Sequence, residues 1–163
     1  MAGRSCEGCT LCCTVIGVPA LSKPQGHDCA HCDIGRGCGF YTCRPEVCAE
    51  FYCSYLLSPA LGEEWKPNTA HLVLGYMAEA DVILIYTDPA HPNAWRRAPY
   101  LTRIKKWAAT TQTGYVLIWE SGRARALLGD DEFDLGHIRD DQVIVRDAGA
   151  AGKPTIYAID QPG

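Results

Sequence analysis

Cys6-Glu7-Gly8-Cys9-Thr10-Leu11-Cys12-Cys13 opens a segment that holds all ten cysteines of a 163-residue chain, and none follows Cys53. The rest are Cys29 and Cys32, separated by Ala30 and His31, then Cys38, Cys43, Cys48 and Cys53. Such a partition admits three chemistries: a disulfide framework, thiolates gathered on metal, or redox-active thiols. Residues 1–13 show neither an apolar signal core nor a small-residue cleavage site, so a reducing, cytoplasmic setting is expected, in which disulfides are rare. Unliganded cysteine packs as a small hydrophobe, yet these are flanked by Gly, Asp, Arg and Pro rather than by an apolar run. Metal accounts for them best.

The spacing carries the chemistry. In C-x2-C, two intervening residues let both sulfurs reach one ion at about 2.3 Å, while amides of the turn donate to them. Cys6/Cys9, Cys9/Cys12 and Cys29/Cys32 have that spacing. Vicinal Cys12 and Cys13 differ, because adjacent side chains generally point apart, and they suggest two metals or one polynuclear cluster. On a continuous helix Cys48 and Cys53 would stand about 140° apart, so sharing an ion would require the helix to end before Cys53. Gly35-Arg36-Gly37-Cys38-Gly39 is a loop whose backbone can approach a thiolate closely. His31 inside its C-x2-C turn reads as a ligand or as a hydrogen-bond donor to one, and His27 as a loop histidine. Lys23, Arg36 and Arg44 could offset thiolate charge, against the plainer reading of each as an exposed cation.

Beyond Cys6-x2-Cys9-x2-Cys12-Cys13, the ordered set runs through Lys23-Pro24, Cys29-x-His31-Cys32, Gly37-Cys38-Gly-Phe-Tyr41 and Arg44-Pro45-x-x-Cys48-x-x-Phe51-x-Cys53. On these residues the first third of the chain resembles the YkgJ-type proteins, described as zinc- or iron-chelating CxxCxxCC domains. The flagellin lysine methylases carry a similar cysteine pattern and are associated with an iron–sulfur cluster, which keeps iron in play. The resemblance implies a metal site of zinc or iron built from Cys6, Cys9, Cys12, Cys13, Cys29, Cys32, Cys38, Cys48 and Cys53. Cys43 occupies a position that the pattern leaves variable and is expected outside the site.

Residues 1–57 hold few large apolar side chains before Phe40, so metal binding is expected to supply their folding energy. Residues 58–68 read as a linker and residues 69–163 as an α+β module. Strands are expected at 72–77, at 82–86 as a central strand buried on both faces, and at 115–119. The last joins 124–128 as a hairpin through Ser121-Gly122, and short strands follow at 142–146 and 155–159. A helix begins at Arg44-Pro45 with Val47, Phe51 and Tyr55 on its core face, and the main helix spans 99–112 with Leu101, Ile104 and Ala108 inward. The fold class is α+β: a metal-stapled lobe of few regular elements, then a small antiparallel or mixed sheet packed with one main helix.

A formal net charge of −4 argues against nucleic acid or a membrane surface as partner, and no apolar run is long enough to span a bilayer. The basic cluster Arg96, Arg97, Arg103, Lys105 and Lys106 reads as a solvated face, and Asp130-Asp-Glu-Phe-Asp134 as a solvated turn. No nucleophile elbow, phosphate loop or Rossmann fingerprint occurs. The expectation is a zinc- or iron-chelating protein in which catalysis is not required, with a protein partner conceivable on the C-terminal module. The alternatives are an iron–sulfur protein with redox or protein-modifying activity and a thiol carrier for soft metal.

Overall fold

The computed structural model describes residues 3–5, 8–139, 141–149 and 152–161. Helix α1 (Leu11–Val15) is followed by a 3-10 turn at Pro19–Leu21 and a minimal hairpin of β1 (Cys32–Asp33) and β2 (Gly37–Cys38). Short helices α2 (Glu46–Glu50), α3 (Ser54–Leu57) and α4 (Pro67–Ala70) lead into β3 (Leu72–Met77) and β4 (Val82–Thr87). Helix α5 (Tyr100–Ala108) precedes β5 (Val116–Glu120), β6 (Arg123–Leu128), β7 (Asp131–His137), β8 (Gln142–Asp147) and β9 (Thr155–Asp160). The class is α+β, with a mixed five-stranded sheet in the order β3-β4-β5-β6-β7. Its pairs are antiparallel except β4 with β5, and a parallel pair needs a crossover, which α5 supplies.

Period-two alternation sends the sheet's side chains to two cores. Val116 and Ile118 of β5 face one side with Ile85 and Leu127, under Trp95, Ile104 and Ala108. Tyr115 and Leu117 face the other with Val82 and Ala126, where Ile156 and Ile144 of the β8–β9 hairpin cover them. The first core does not stop at the sheet: Val15 of α1 and Cys53, Tyr55 and Leu56 around α3 belong to it. Each fully buried aliphatic side chain of this kind contributes about 1.5–3 kcal/mol. Residues 58–68, read as a linker, place Leu61 and Trp65 in the same core, with Trp65 packed edge-on against Tyr100 and tilted against Trp107.

Several local expectations are corrected. The helix after Pro45 divides: α2 ends at Glu50, Phe51 and Cys53 are extended, and α3 restarts at Ser54. Tyr55 therefore enters the core while Val47 is left 43% exposed. The main helix stops at Ala108 rather than near 112, because the hydroxyls of Thr110 and Thr111 donate to the carbonyls of Trp107 and Ala108 and compete with helix propagation. The acidic stretch expected as a turn forms β7, in which Phe133 and Leu135 pack on the second core. Its carboxylates are spent on cations: Glu132 on Arg96 and Arg125, Asp134 on Arg123, with Asp130 on Lys105. Among the described residues no helix is long and apolar enough to cross a membrane.

Candidate metal centre

Helix α1 begins where Thr10 accepts the amide of Cys13 at 2.9 Å, and this one turn sets Cys12 and Cys13 on adjacent helical faces. The Thr10 hydroxyl accepts the Gly35 amide at 3.0 Å, pinning the β1–β2 turn to the start of α1. The Cys29 amide donates to the Cys13 carbonyl at 3.1 Å, and the Cys32 amide to the Cys29 carbonyl at 3.0 Å, which closes the C-x2-C turn. Across the minimal hairpin Cys32 stands opposite Cys38, and the Gly39 amide donates to the His31 carbonyl at 2.7 Å. Cys48 sits in α2, where its amide donates to the Pro45 carbonyl at 2.9 Å.

These backbone ties gather Cys9, Cys12, Cys13, Cys29, Cys38 and Cys48 around one cavity of about 440 Å³. Cys32 adjoins that set through a hydrogen bond between its thiol and that of Cys13. His31 also lines the cavity, with its ring stacked on Phe40 at 3.9 Å. Cys43 is exposed and lies outside the lining, Cys53 is buried in the main core, and Cys6 falls outside the described residues. His27 is exposed and its Nδ1 donates to the Gln25 carbonyl. No disulfide joins any two of the nine described cysteines.

The electrostatics favour thiolate at Cys13 and oppose it at Cys32 and Cys48. A hydrogen bond from Cys12 lowers the Cys13 pKa to about 6 against the opposing effect of burial, aided by Cys32 and by the charge of Lys23. Burial, with the charge of Cys13, pushes its partner Cys32 up to about 12, so the pair holds one proton between two sulfurs at neutral pH. Burial raises the Cys48 thiol as well. Lys23 is not an exposed cation: it is 7% exposed, lines the cavity, and donates to the carbonyls of Thr14, Ile16 and Pro24. Burial lowers its pKa, while Cys29 and Cys13 favour its charged form. Arg36 and Arg44 also line the cavity but are more exposed: Arg36 pairs with Asp33, and Arg44 lies over the Tyr41 ring at 4.1 Å.

Thiols lining one cavity beside buried Lys23, with Cys13 of low pKa among them, fit a soft or borderline metal better than a hard one, although among the described residues no three of these sulfurs lie within 4.8 Å of one another. The lining offers more sulfurs than the four a single tetrahedral ion takes, and it includes both members of the vicinal pair. Sequence reasoning left the place of Lys23 open, because nothing in its neighbours marks a buried amine. Its place is set by a tight turn in which the Lys23 amide donates back to the Val18 carbonyl. No family model, curated protein or solved structure matches the chain.

Proposed function

We propose that this is a cytoplasmic metal-binding protein whose N-terminal lobe holds zinc or iron on cysteine thiolates. One observation carries the reading: six cysteines from separate stretches of the chain line one cavity beside a buried lysine. Cys9, Cys12, Cys13, Cys29, Cys38 and Cys48 would hold the metal, with Cys32 available beside Cys13. The ordered cysteine pattern supports placing the chain with the YkgJ-type proteins. Zinc on these residues would supply folding energy to the lobe. An iron–sulfur centre would add one-electron chemistry, and the excess of sulfurs over four favours such a polynuclear arrangement. Lys23 would offset the negative charge of the thiolates, and the apolar walls formed by Ile16, Val18 and Phe51 would limit the access of water.

Metal analysis with an anaerobic absorption spectrum tests this. A colourless zinc protein supports the structural reading, and broad absorption near roughly 400 nm supports iron–sulfur. Single variants test the residues: Cys12→Ser and Cys38→Ser should lose most of the bound metal, and Cys43→Ser should retain it. Equal, small losses at all three would instead indicate a thiol store that loads on whichever sulfurs are available.

A further inference from the structure

Outside the thiol cavity, three side chains converge at one end of the β3–β4 ladder. His71 precedes β3 and Asp88 follows β4, so they extend the register beyond the Leu72–Thr87 pair, and the Asp88 amide donates to the His71 carbonyl at 3.0 Å. The turn Asp88-Pro89-Ala90-His91 then brings His91 back, its amide donating to the Asp88 carbonyl at 2.8 Å. Asp88 Oδ2 lies 2.9 Å from His71 Nδ1 and 3.0 Å from His91 Nδ1. The two imidazoles stack at 3.6 Å between centroids. Asp88 Oδ1 accepts the Ala90 amide at 2.9 Å, which fixes the carboxylate plane.

We propose that His71, Asp88 and His91 form a second, sulfur-free site for a divalent first-row transition ion. Two imidazoles and one carboxylate form the donor set that zinc and non-haem iron(II) take when other coordination positions stay open. The ligand atoms lie within 4.8 Å of one another. Neighbouring ligands each about 2.1 Å from one ion are separated by roughly 3.0–3.4 Å, so the two imidazole-to-carboxylate spacings need only a few tenths of an ångström of adjustment. The Nδ1 atoms that now face Asp88 become ligand atoms once each ring carries its proton on Nε2.

The supports are those that a carboxylate ligand needs. The Ala90 amide on Oδ1 leaves Asp88 Oδ2 facing both imidazoles. His71 takes the left-handed backbone (φ 57°) that caps the end of α4, its amide donating to the Pro67 carbonyl, which fixes where its ring leaves the chain. The site opens on a cleft of about 600 Å³ whose other walls include Thr10, Thr14, Asp28 and Asn68, leaving room for water or a small oxygen ligand on the ion. Thr10 and Thr14 belong to the α1 region that also carries Cys12 and Cys13, so α1 stands between the two sites.

This inference is independent of the thiol reading, and the test keeps them apart. Co²⁺ is titrated into the full-length protein and followed by absorption and by histidine ¹⁵N NMR. Thiolate coordination gives intense charge-transfer bands, whereas the His/Asp site gives only weak visible bands with paramagnetic broadening at His71 and His91. His91→Ala, Asp88→Asn and His71→Asn, the last chosen because asparagine tolerates the left-handed position, should each weaken this second binding. The loss should exceed the roughly 10–100-fold that follows removal of a supporting hydrogen bond. Their thiolate bands should be unchanged, and Cys12→Ser should show the converse. Co²⁺ binding of equal strength in His91→Ala, Asp88→Asn and wild type, or no broadening at either histidine, would overturn the proposal.

Discussion

Residues 24–52 and the five-stranded sheet are held by different means. In the sheet, Val73, Ile85, Val116, Ile118 and Ala126 are wholly buried, and apolar packing suffices to explain the order of its strands. From residue 24 to residue 52 no side chain is fully buried, and of its apolar residues only Phe51 packs, half-buried, against the sheet's core. What that stretch has instead is backbone hydrogen bonding between turns and cysteines aimed at a common cavity. Such contacts offset little of the conformational entropy of a segment this long, and under the function proposed above bonds formed at sulfur would supply the remainder. The division does not coincide with the end of the cysteine-rich sequence, since Val15 and residues 53–56 are anchored in the sheet's core.

The largest expected effect lies on the sheet side. Ile118→Ala should cost about 2–5 kcal/mol in denaturant unfolding while leaving metal content per folded molecule unchanged. Metal lost in proportion to stability would break the contrast between the two regions. The seam between them is more lightly built. Gly26 has φ +78°, and an added Cβ would come within 2.7 Å of Ser121 Cα at the β5–β6 turn. Gly26→Ala should therefore destabilise by about 1–3 kcal/mol and loosen residues 24–52 more than β5 or β6, as amide exchange would reveal.

Electrostatic effects at the thiols should be smaller and dependent on pH. With its pKa near 6 in the folded chain and 9.0 as the unperturbed value, Cys13 binds fewer protons folded than unfolded between those limits. The sign follows directly: its stabilising contribution is complete above about pH 9 and fades as pH falls through about 6. In metal-free protein, alkylation of Cys13 should titrate with a midpoint near 6. Cys12→Ala should move that midpoint upward more than Lys23→Met, because the hydrogen bond from Cys12 outweighs the charge of Lys23. A larger shift for Lys23→Met than for Cys12→Ala would mean that long-range charge governs the site.

Much of the sheet was legible because its signals are local. The apolar run at 82–86 and the Ser121-Gly122 turn between two apolar strands specify β4, β5 and β6 without reference to distant residues. β7 escaped notice because its alternation is carried only by Phe133 and Leu135 among carboxylates whose partners, Arg96, Arg123 and Arg125, lie elsewhere in the chain. Likewise, the spacing of the cysteines marks sulfur chemistry, but the one-turn helix that aims Cys12 and Cys13 is too short for any periodic signal. The burial of Lys23 depends on three carbonyls freed by that helix and the turn after it. His71 meets Asp88 and His91 only through the β3–β4 register, which no inspection of either segment alone discloses.

Amide hydrogen exchange on the purified protein, before and after removal of metal by a strong chelator, tests the central claim most directly. Residues 24–52 should lose most of their protection on chelation, while β4, β5 and β6 keep theirs and α1 and residues 53–56 change little. Unchanged protection across residues 24–52, or a loss shared equally with β4–β6, would contradict the claim that this stretch owes its order to metal held at sulfur.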